Sequence, residues 1–158
     1  MRGYFAHYLH QQMSKNKNIY LITGDLGYKM WDQIRNDYPD RFINAGASEQ
    51  AMMGLAVGLA LEGKIPFVYS ITTFLLYRPF ETIRNYINNE GISVRLVGSG
   101  RGKDYDHDGI SHWPLEEKKV MSIFKKINSL WPNNPEEIPG LIDKMIKIQK
   151  PWYINLKR

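Results

Sequence analysis

The sequence predicts an α/β protein in which a mainly parallel, six-stranded sheet carries helices on both faces. Short apolar runs rich in β-branched and aromatic residues alternate along the chain with segments of helical periodicity. Single helices between successive strands require crossover connections, and these give parallel strands covered on both sides. The six predicted strands are residues 19–23, 42–44, 66–70, 93–97, 127–130 and 152–156.

Three segments carry the helical pattern most clearly. Residues 136–149 repeat apolar side chains at the i, i+3, i+4, i+7 spacing of an amphipathic helix. Residues 48–62 stop at Gly63, a residue type that readily takes the left-handed conformation after a helix. A third helix is predicted to begin at Pro79, because proline is favoured at the first helical position, and to run to about residue 90.

Length, composition and charge narrow the function classes. At about 150 residues per domain, the 158 residues predict a single domain over residues 1–158. The absence of cysteine excludes disulfides, thiolate metal sites and cysteine nucleophiles. The longest apolar run, residues 51–61, is too short to cross a membrane, and no leader pattern is seen, so we expect a cytoplasmic protein. The net charge of +5 comes mostly from lysines spread along residues 113–158, so we expect no nucleic-acid partner.

The segments that follow the predicted strands are the places to look for a site. In open parallel sheets, ligands bind beyond the carboxyl ends of the strands. Glycine and polar side chains are concentrated in those segments, which are residues 24–27, 45–49, 71–74 and 98–113.

Glu49 is the first candidate for chemistry. It begins a helix whose body is almost entirely small or apolar, with Gly54 and Gly58 four residues apart on one face. Such a face allows another backbone to approach closely, including that of a second chain. From position alone, Glu49 is either a functional carboxylate or a first-turn residue that complements the helix dipole.

The segment 98–113 is rich in aspartate, histidine and glycine. His107 and His112 stand five apart among three aspartates, but this spacing matches no closed zinc pattern. The three glycines at its start follow a strand, as in a dinucleotide-binding loop, although no helix opens within the required distance. A small flavodoxin-like nucleotide-binding protein is therefore one alternative, and an active-site loop is the favoured interpretation.

The order of these elements resembles the pyrimidine-binding domain of transketolases over roughly residues 1–156. The sequence is also similar to the corresponding domain of deoxyxylulose-phosphate synthase and, more distantly, to the beta subunit of 2-oxoacid dehydrogenases. The motifs that carry the resemblance are Asp25-Leu26-Gly27, Gly46-x-x-Glu49-Gln50, Gly54-x-Ala56-x-Gly58, Phe74 and Asp108-Gly109-x-Ser111-His112.

The resemblance implies the three-layer α/β/α thiamine diphosphate-binding fold and thiamine diphosphate as cofactor. The residue matching Glu49 hydrogen-bonds a ring nitrogen of the cofactor's aminopyrimidine and so activates the cofactor. The residue matching Phe74 stacks on that ring. Further cofactor-side and substrate-side positions are implied by the same match: Tyr77, Ile71, Asp25 and Leu26 beside the cofactor, and His112 and Asp108 toward the donor hydroxyls, while His107 has no match.

The resemblance also implies a partner subunit. The family holds the diphosphate through Mg²⁺ on a Gly-Asp-Gly motif followed by an Asn, and this sequence has no such motif. We therefore expect no metal ligand in this chain and neither a diphosphate-binding nor a third, C-terminal domain. A split enzyme follows, with Mg²⁺ and the diphosphate held by a separate subunit in a heterodimer or heterotetramer. The helix at residues 48–62 is the candidate for its central contact.

The implied activity is transfer of a two-carbon ketol unit from a ketose donor to an aldehyde or aldose acceptor. The alternatives are a deoxyxylulose-phosphate synthase-like or 2-oxoacid decarboxylase-like subunit, and a catalytically silent scaffold. Gly100 and Lys29 stand where sugar-phosphate transketolases have a histidine and a serine, and Arg101 and Lys103 offer positive charge nearby. An unusual ketose or a nucleotide-linked sugar therefore stays open as the donor.

Overall fold

The computed structural model describes residues 1–158 and contains a single six-stranded sheet in which every strand pair is parallel. The strand order is β2-β1-β3-β4-β6-β5. The predicted fold class is confirmed. The strands are β1 Ile19–Thr23, β2 Phe42–Asn44, β3 Ile65–Ile71, β4 Arg95–Ser99, β5 Asn128–Leu130 and β6 Trp152–Leu156.

Helices fill the connections between strands. None of them combines the length and the hydrophobicity that crossing a membrane requires. Short 3₁₀ turns lie at Pro39–Arg41, Asp106–Asp108, Ile110–His112 and Pro135–Glu137. The α-helices are α1 Arg2–Lys15, α2 Asp32–Asp37, α3 Glu49–Leu61, α4 Thr72–Tyr77, α5 Phe80–Thr82 with its π-helical continuation Ile83–Asn89, α6 Glu117–Ile123 and α7 Ile138–Lys147.

Two hydrophobic cores hold the three layers together, one on each face of the sheet. One core packs α1, α2 and α7 against the sheet through residues such as Leu9, Ile34 and Ile142. The other packs α3 to α6 against the opposite face through residues such as Met53 and Leu96. Alternation of side chains along each strand feeds both cores, as a doubly covered parallel sheet requires.

The helix predicted from Pro79 to about residue 90 is present as α5 and its π-helical continuation, with Pro79 as the N-cap. The separate helix α4 was not predicted: the chain turns directly from the end of β3 into α4, and Pro79 separates α4 from α5. Two threonines stabilise the start of α4 by bonding to neighbouring segments. Thr72 Oγ1 donates to the Ser99 and Gly100 carbonyls at 3.0 and 2.9 Å, and Thr73 Oγ1 donates to the Ser111 carbonyl at 2.6 Å.

A buried polar network joins β4, β6, α4 and α6 and leaves no room for a side chain at Gly98. Asn155 Nδ2 donates to Thr72 Oγ1 at 2.9 Å, and the Tyr153 hydroxyl donates to Glu117 Oε1 at 2.5 Å. A Cβ built on Gly98 would lie 2.8 Å from both Thr72 Oγ1 and the Tyr153 hydroxyl. Such contacts force the network apart, so glycine is required here.

We expect Gly98→Ala to lower the free energy of unfolding by about 1–3 kcal/mol, the usual cost of overpacking a core. Gly140→Ala is the matched control, because Gly140 lies inside α7 and a Cβ there meets nothing within 4 Å. That control should gain up to about 1 kcal/mol from helix propensity. Denaturant unfolding of both variants measures the difference, and equal stabilities would contradict the steric account.

The order of the strands indicates where a ligand would bind to this sheet. The chain passes from β1 to β2 on one side and then crosses to β3 on the other, so β1 and β3 flank a topological switch point. Ligands of open parallel sheets bind in the crevice at such a point, beyond the carboxyl ends of the strands.

Candidate active site

Glu49 lies at this crevice as the first residue of α3, and its side chain is buried. Arg78, which ends α4, donates from Nη1 to Glu49 Oε1 at 2.9 Å. Gly24, just beyond β1, leaves the space beside the carboxylate open, since a Cβ there would stand 3.9 Å from Glu49 Oε1 and only 3.2 Å from the Gly46 carbonyl. A buried carboxylate at a helix N-terminus with one cationic partner is thus the charged centre of the crevice.

Phe74 and His112 extend this centre into one continuous cluster. The guanidinium carbon of Arg78 lies 3.7 Å from the centre of the Phe74 ring, which places the cation against the ring. The His112 ring approaches the same phenyl edge-on, with centroids 4.8 Å apart and planes at 67°. Four side chains from three segments of the chain therefore meet, and they include three of the predicted site residues.

Contacts from both sides hold His112 in place. Its Nδ1 lies 2.9 Å from the Ser111 hydroxyl, and the Ser111 carbonyl accepts the hydrogen bond from Thr73. The Tyr105 ring lies on its other side, 5.9 Å between centroids, and the Tyr105 carbonyl accepts a hydrogen bond from Trp113 Nε1 at 3.1 Å. The segment 98–113 is thus folded back over α4 rather than extended into solvent.

Asp25 and Leu26 form a strained turn at the end of β1. Asp25 has a φ of 59°, a left-handed conformation that aspartate tolerates better than most residues. Asn44, at the end of β2, stabilises the turn by accepting the Asp25 N–H at 2.8 Å and donating to Asp25 Oδ1 at 3.2 Å. Thr23 Oγ1 donates to the Leu26 carbonyl at 2.9 Å. Asn44 is a residue of the site that the sequence reasoning did not single out.

A cleft of about 620 Å³ opens next to this turn, lined by Leu26, Ile71 and Tyr105 among others. Three cationic side chains, Arg2, Lys29 and Arg158, also line it, and none of the three forms an ion pair. The cleft is therefore suited to a negatively charged group.

Two cations expected near a substrate phosphate lie elsewhere. Arg101 donates to the side chain and the carbonyl of Asn155, at 2.8 and 2.6 Å, and burial lowers the pKa of its guanidinium. Lys103 lies over the Trp113 ring, 4.5 Å from its centre. Neither residue lines the cationic cleft. Arg2, Lys29 and Arg158 supply its charge instead.

The remaining predicted residues differ in their surroundings. Tyr77, the last residue of α4, packs on the core with its hydroxyl buried and without a hydrogen-bond partner. Burial raises the pKa of its phenol, as does the carboxylate of Glu116. Asp108 and His107 are exposed in a 3₁₀ turn. No three histidine, aspartate or glutamate side chains lie close enough together to hold a metal ion.

Comparison with known proteins identifies the family. A family model described as "Transketolase, pyrimidine binding domain" matches residues 1–158. The chain belongs to this family. The fold and the ordered motifs agree with that membership, and several relatives are named as sections or subunits of transketolases.

Two curated relatives illustrate this. The putative transketolase C-terminal section of Methanocaldococcus jannaschii is 30% identical over 159 residues, which cover 100% of this chain and 50% of the relative. One of the subunits of an apulose-4-phosphate transketolase from Actinobacillus succinogenes is 32% identical over 120 residues, 76% of this chain and 39% of the relative. The chain thus spans half or less of the length of these relatives.

Two solved transketolase structures have the same fold as this chain. A split gene transketolase, described as an inactive beta4 tetramer, superposes with a TM-score of 0.87 at 28% identity, covering 99% of this chain and 51% of that one. Transketolase from Leishmania mexicana superposes with a TM-score of 0.85 at 20% identity, covering 99% of this chain and 25% of that one, which shows the shared fold.

Proposed function

We propose that this chain is the pyrimidine-binding subunit of a split, thiamine diphosphate-dependent transketolase. The enzyme would transfer a two-carbon ketol unit from a ketose donor to an aldehyde or aldose acceptor. The observation that carries the proposal is that a buried carboxylate, Glu49, and an aromatic face, Phe74, both contact the Arg78 guanidinium at the switch point of the sheet. That pair offers a hydrogen-bonding and a stacking surface to one flat heteroaromatic ring.

The residues present fit an aminopyrimidine ring. Gly24 lacks the Cβ that would fill the space between Glu49 and the Gly46 carbonyl, so a ring edge can reach the carboxylate. Phe74 is half-buried and provides an apolar face next to that space. Leu26 and Ile71 line the adjoining cleft and extend the apolar wall.

The proposal gives each cofactor-side residue of this chain a defined role. When bound, thiamine diphosphate supplies the carbanion equivalent that accepts and stabilises the two-carbon unit. Glu49 holds a proton at a ring nitrogen of the aminopyrimidine, while Phe74 and Tyr77 fix the ring plane. The turn at Asp25 and Leu26 closes the proposed aminopyrimidine site on the side of β1.

His112 and Asp108 are proposed to act on the substrate side. The Ser111 hydroxyl orients the His112 ring through Nδ1, which leaves Nε2 for a substrate hydroxyl or a proton in transfer. Asp108 is exposed at the rim, and its carbonyl receives the Ser111 hydroxyl at 3.3 Å. A donor entering over Phe74 would meet both residues.

The cationic cleft defines the proposed substrate class as a ketose with a terminal anionic group. Arg2 and Arg158 converge on Tyr105: Arg2 Nη1 donates to its hydroxyl at 3.3 Å, and the Arg158 guanidinium lies 5.0 Å from its ring centre. Relatives of this chain are named for acting on a sugar phosphate, apulose-4-phosphate, and on a sulfonated sugar, 6-deoxy-6-sulfo-D-fructose. Both substrates carry the kind of anionic group that guanidinium groups bind, and each of the two arginines is held by one neutral oxygen and by no carboxylate: the Tyr105 hydroxyl for Arg2 and the Asp104 carbonyl for Arg158.

We expect Arg158→Gln to raise the KM for a phosphorylated or sulfonated ketose about tenfold, because one charge-assisted hydrogen bond is lost. The KM for the uncharged ketose should change little. Steady-state kinetics with a matched pair of donors measures this, with Arg84→Gln as control, since Arg84 is exposed and its side chain bonds to neighbouring Asn85. An equal rise for both donors would contradict an anion site.

A partner subunit is proposed to hold the diphosphate and Mg²⁺, since this chain offers no acidic cluster for the ion. The proposed contact between copies of this chain is the outer face of α3. Ala51, Gly54, Leu55 and Gly58 are exposed there without any charge, and a Cβ on either glycine would meet nothing within 4 Å. The beta4 tetramer of the related split gene transketolase supports self-association through this type of chain.

Reconstitution tests the function directly. The chain alone should be inactive, and adding the subunit that carries a diphosphate-binding domain, thiamine diphosphate and Mg²⁺ should give ketol transfer from a ketose to an aldose. Pyruvate should be offered in parallel, because a 1-deoxy-D-xylulose-5-phosphate synthase of Dehalococcoides mccartyi is 27% identical over 156 residues. Consumption of pyruvate but not of ketose would replace the transketolase proposal by a synthase.

A further inference from the structure

Arg78 contacts the two side chains to which the proposed function assigns the aminopyrimidine ring. Its guanidinium donates to Glu49 Oε1 at 2.9 Å and lies 3.7 Å from the centre of the Phe74 ring. A guanidinium is planar, carries N–H donors at its edge and stacks on aromatic faces. It therefore presents to Glu49 and Phe74 the same two surfaces that a protonated aminopyrimidine would present.

We propose that Arg78 is an internal competitor of the cofactor: its guanidinium occupies the aminopyrimidine position in the free subunit and swings away when the cofactor binds. This inference rests on the proposed function, because that function places the ring between Glu49 and Phe74. A pyrimidine ring that bonds to Glu49 Oε1 and stacks on the face of Phe74 that the guanidinium covers would overlap the guanidinium, so the two occupants exclude each other.

The surroundings of Arg78 allow it to leave. Its side chain is 49% exposed, whereas that of Glu49 is 5% exposed. The bond to Glu49 is the single hydrogen bond of the guanidinium, and its other contact is with the face of the Phe74 ring. Arg78 ends α4, so rotation about its side-chain bonds carries the charge into solvent without disturbing the helix.

The contact also explains how the free subunit tolerates Glu49. A buried carboxylate without a partner is costly, and Arg78 is the only hydrogen-bond donor that Glu49 has. Competition then has a defined effect on affinity. If the guanidinium covers the site in about nine molecules of ten, the apparent affinity for the pyrimidine ring falls about tenfold.

The test uses the full chain and the pyrimidine half of the cofactor, 4-amino-5-hydroxymethyl-2-methylpyrimidine, titrated to millimolar concentration and followed by ligand-observed NMR. Arg78→Met keeps the length of the side chain and removes the planar cation. We expect it to bind the pyrimidine about tenfold more tightly than the unmodified chain. Arg84→Met is the matched control and should bind with unchanged affinity.

A second measurement separates competition from general damage. Arg78→Met should lower the melting temperature of the free chain, because Glu49 loses its partner, and saturating pyrimidine should recover more stability in the variant than in the unmodified chain. In a Glu49→Gln background, Arg78→Met should change the melting temperature much less.

The outcomes distinguish the inference from the proposed function. Suppose that the unmodified chain binds the pyrimidine, that Phe74→Ala abolishes this binding, and that Arg78→Met binds equally or more weakly. That result would overturn the competitor role of Arg78 and leave the proposed function intact. Absence of pyrimidine binding in the unmodified chain, Arg78→Met and Arg84→Met alike would overturn both. Tighter binding by Arg78→Met alone supports both.

Discussion

Replacing Glu49 by glutamine should reduce ketol transfer by the reconstituted enzyme by about 10²–10⁴-fold, the range for losing a positioned proton-transfer group. Glutamine keeps the size of the side chain and can still accept a hydrogen bond from Arg78, but it cannot share a proton with a ring nitrogen. The loss should therefore appear in kcat, with the subunits still assembled. Steady-state rates with saturating thiamine diphosphate and Mg²⁺ measure it.

The control for this variant is Glu62→Gln, the same substitution at the exposed C-terminal end of the same helix. It should leave the rate unchanged. Sedimentation of Glu49→Gln with the partner subunit must give the mass of the unmodified complex. Full activity in Glu49→Gln would instead favour the scaffold alternative, because a scaffold has no use for a carboxylate in this crevice.

Most of the fold could be predicted from the sequence because its signals are local. The strands predicted at residues 19–23, 42–44 and 152–156 have the same bounds in the structure. Gly63 takes the expected left-handed conformation after α3, with a φ of 73°. Alternation of strand and helix then leaves a doubly covered parallel sheet as the natural arrangement.

The errors come from long-range contacts. The start of α4 escapes prediction because its two threonines favour strands, and only their bonds to the segment 98–113 stabilise a helix there. Arg95 is equally unexpected: it is buried in a central strand, where Nε donates to the Met145 carbonyl at 3.0 Å and burial lowers the pKa of its guanidinium to about 10. Helix α7 must already be in place to receive that bond.

In the candidate site, too, residues with a local sequence signal could be predicted and residues placed by long-range contacts could not. Its motif residues could be placed from the sequence because they come directly after strands, whereas Arg78, Asn44, Arg2 and Arg158 carry no local signal. Gly100 shows why the histidine of sugar-phosphate transketolases has no place here. Its φ is 88°, and a Cβ would stand 2.4 Å from the Tyr105 ring, so Tyr105 fills the space that a larger residue would need.

The second large effect is expected at the surface of α3. Leu55→Glu places a carboxylate in the centre of the uncharged face that is proposed to contact a second copy. Burying an unpaired charge in a dry interface costs several kcal/mol, and about 2.8 kcal/mol already weakens association 100-fold. We therefore expect self-association to weaken at least about 100-fold and the reconstituted activity to fall with the loss of assembly.

Sedimentation equilibrium over a range of protein concentrations measures this effect. The control is Ile123→Glu, which places the same charge on an exposed apolar residue of α6, outside the proposed contact. Both variants should keep the thermal stability of the isolated chain, because neither side chain belongs to a core. If Ile123→Glu dissociates the assembly and Leu55→Glu does not, the contact lies on the α6 face, and the small residues of α3 serve another purpose.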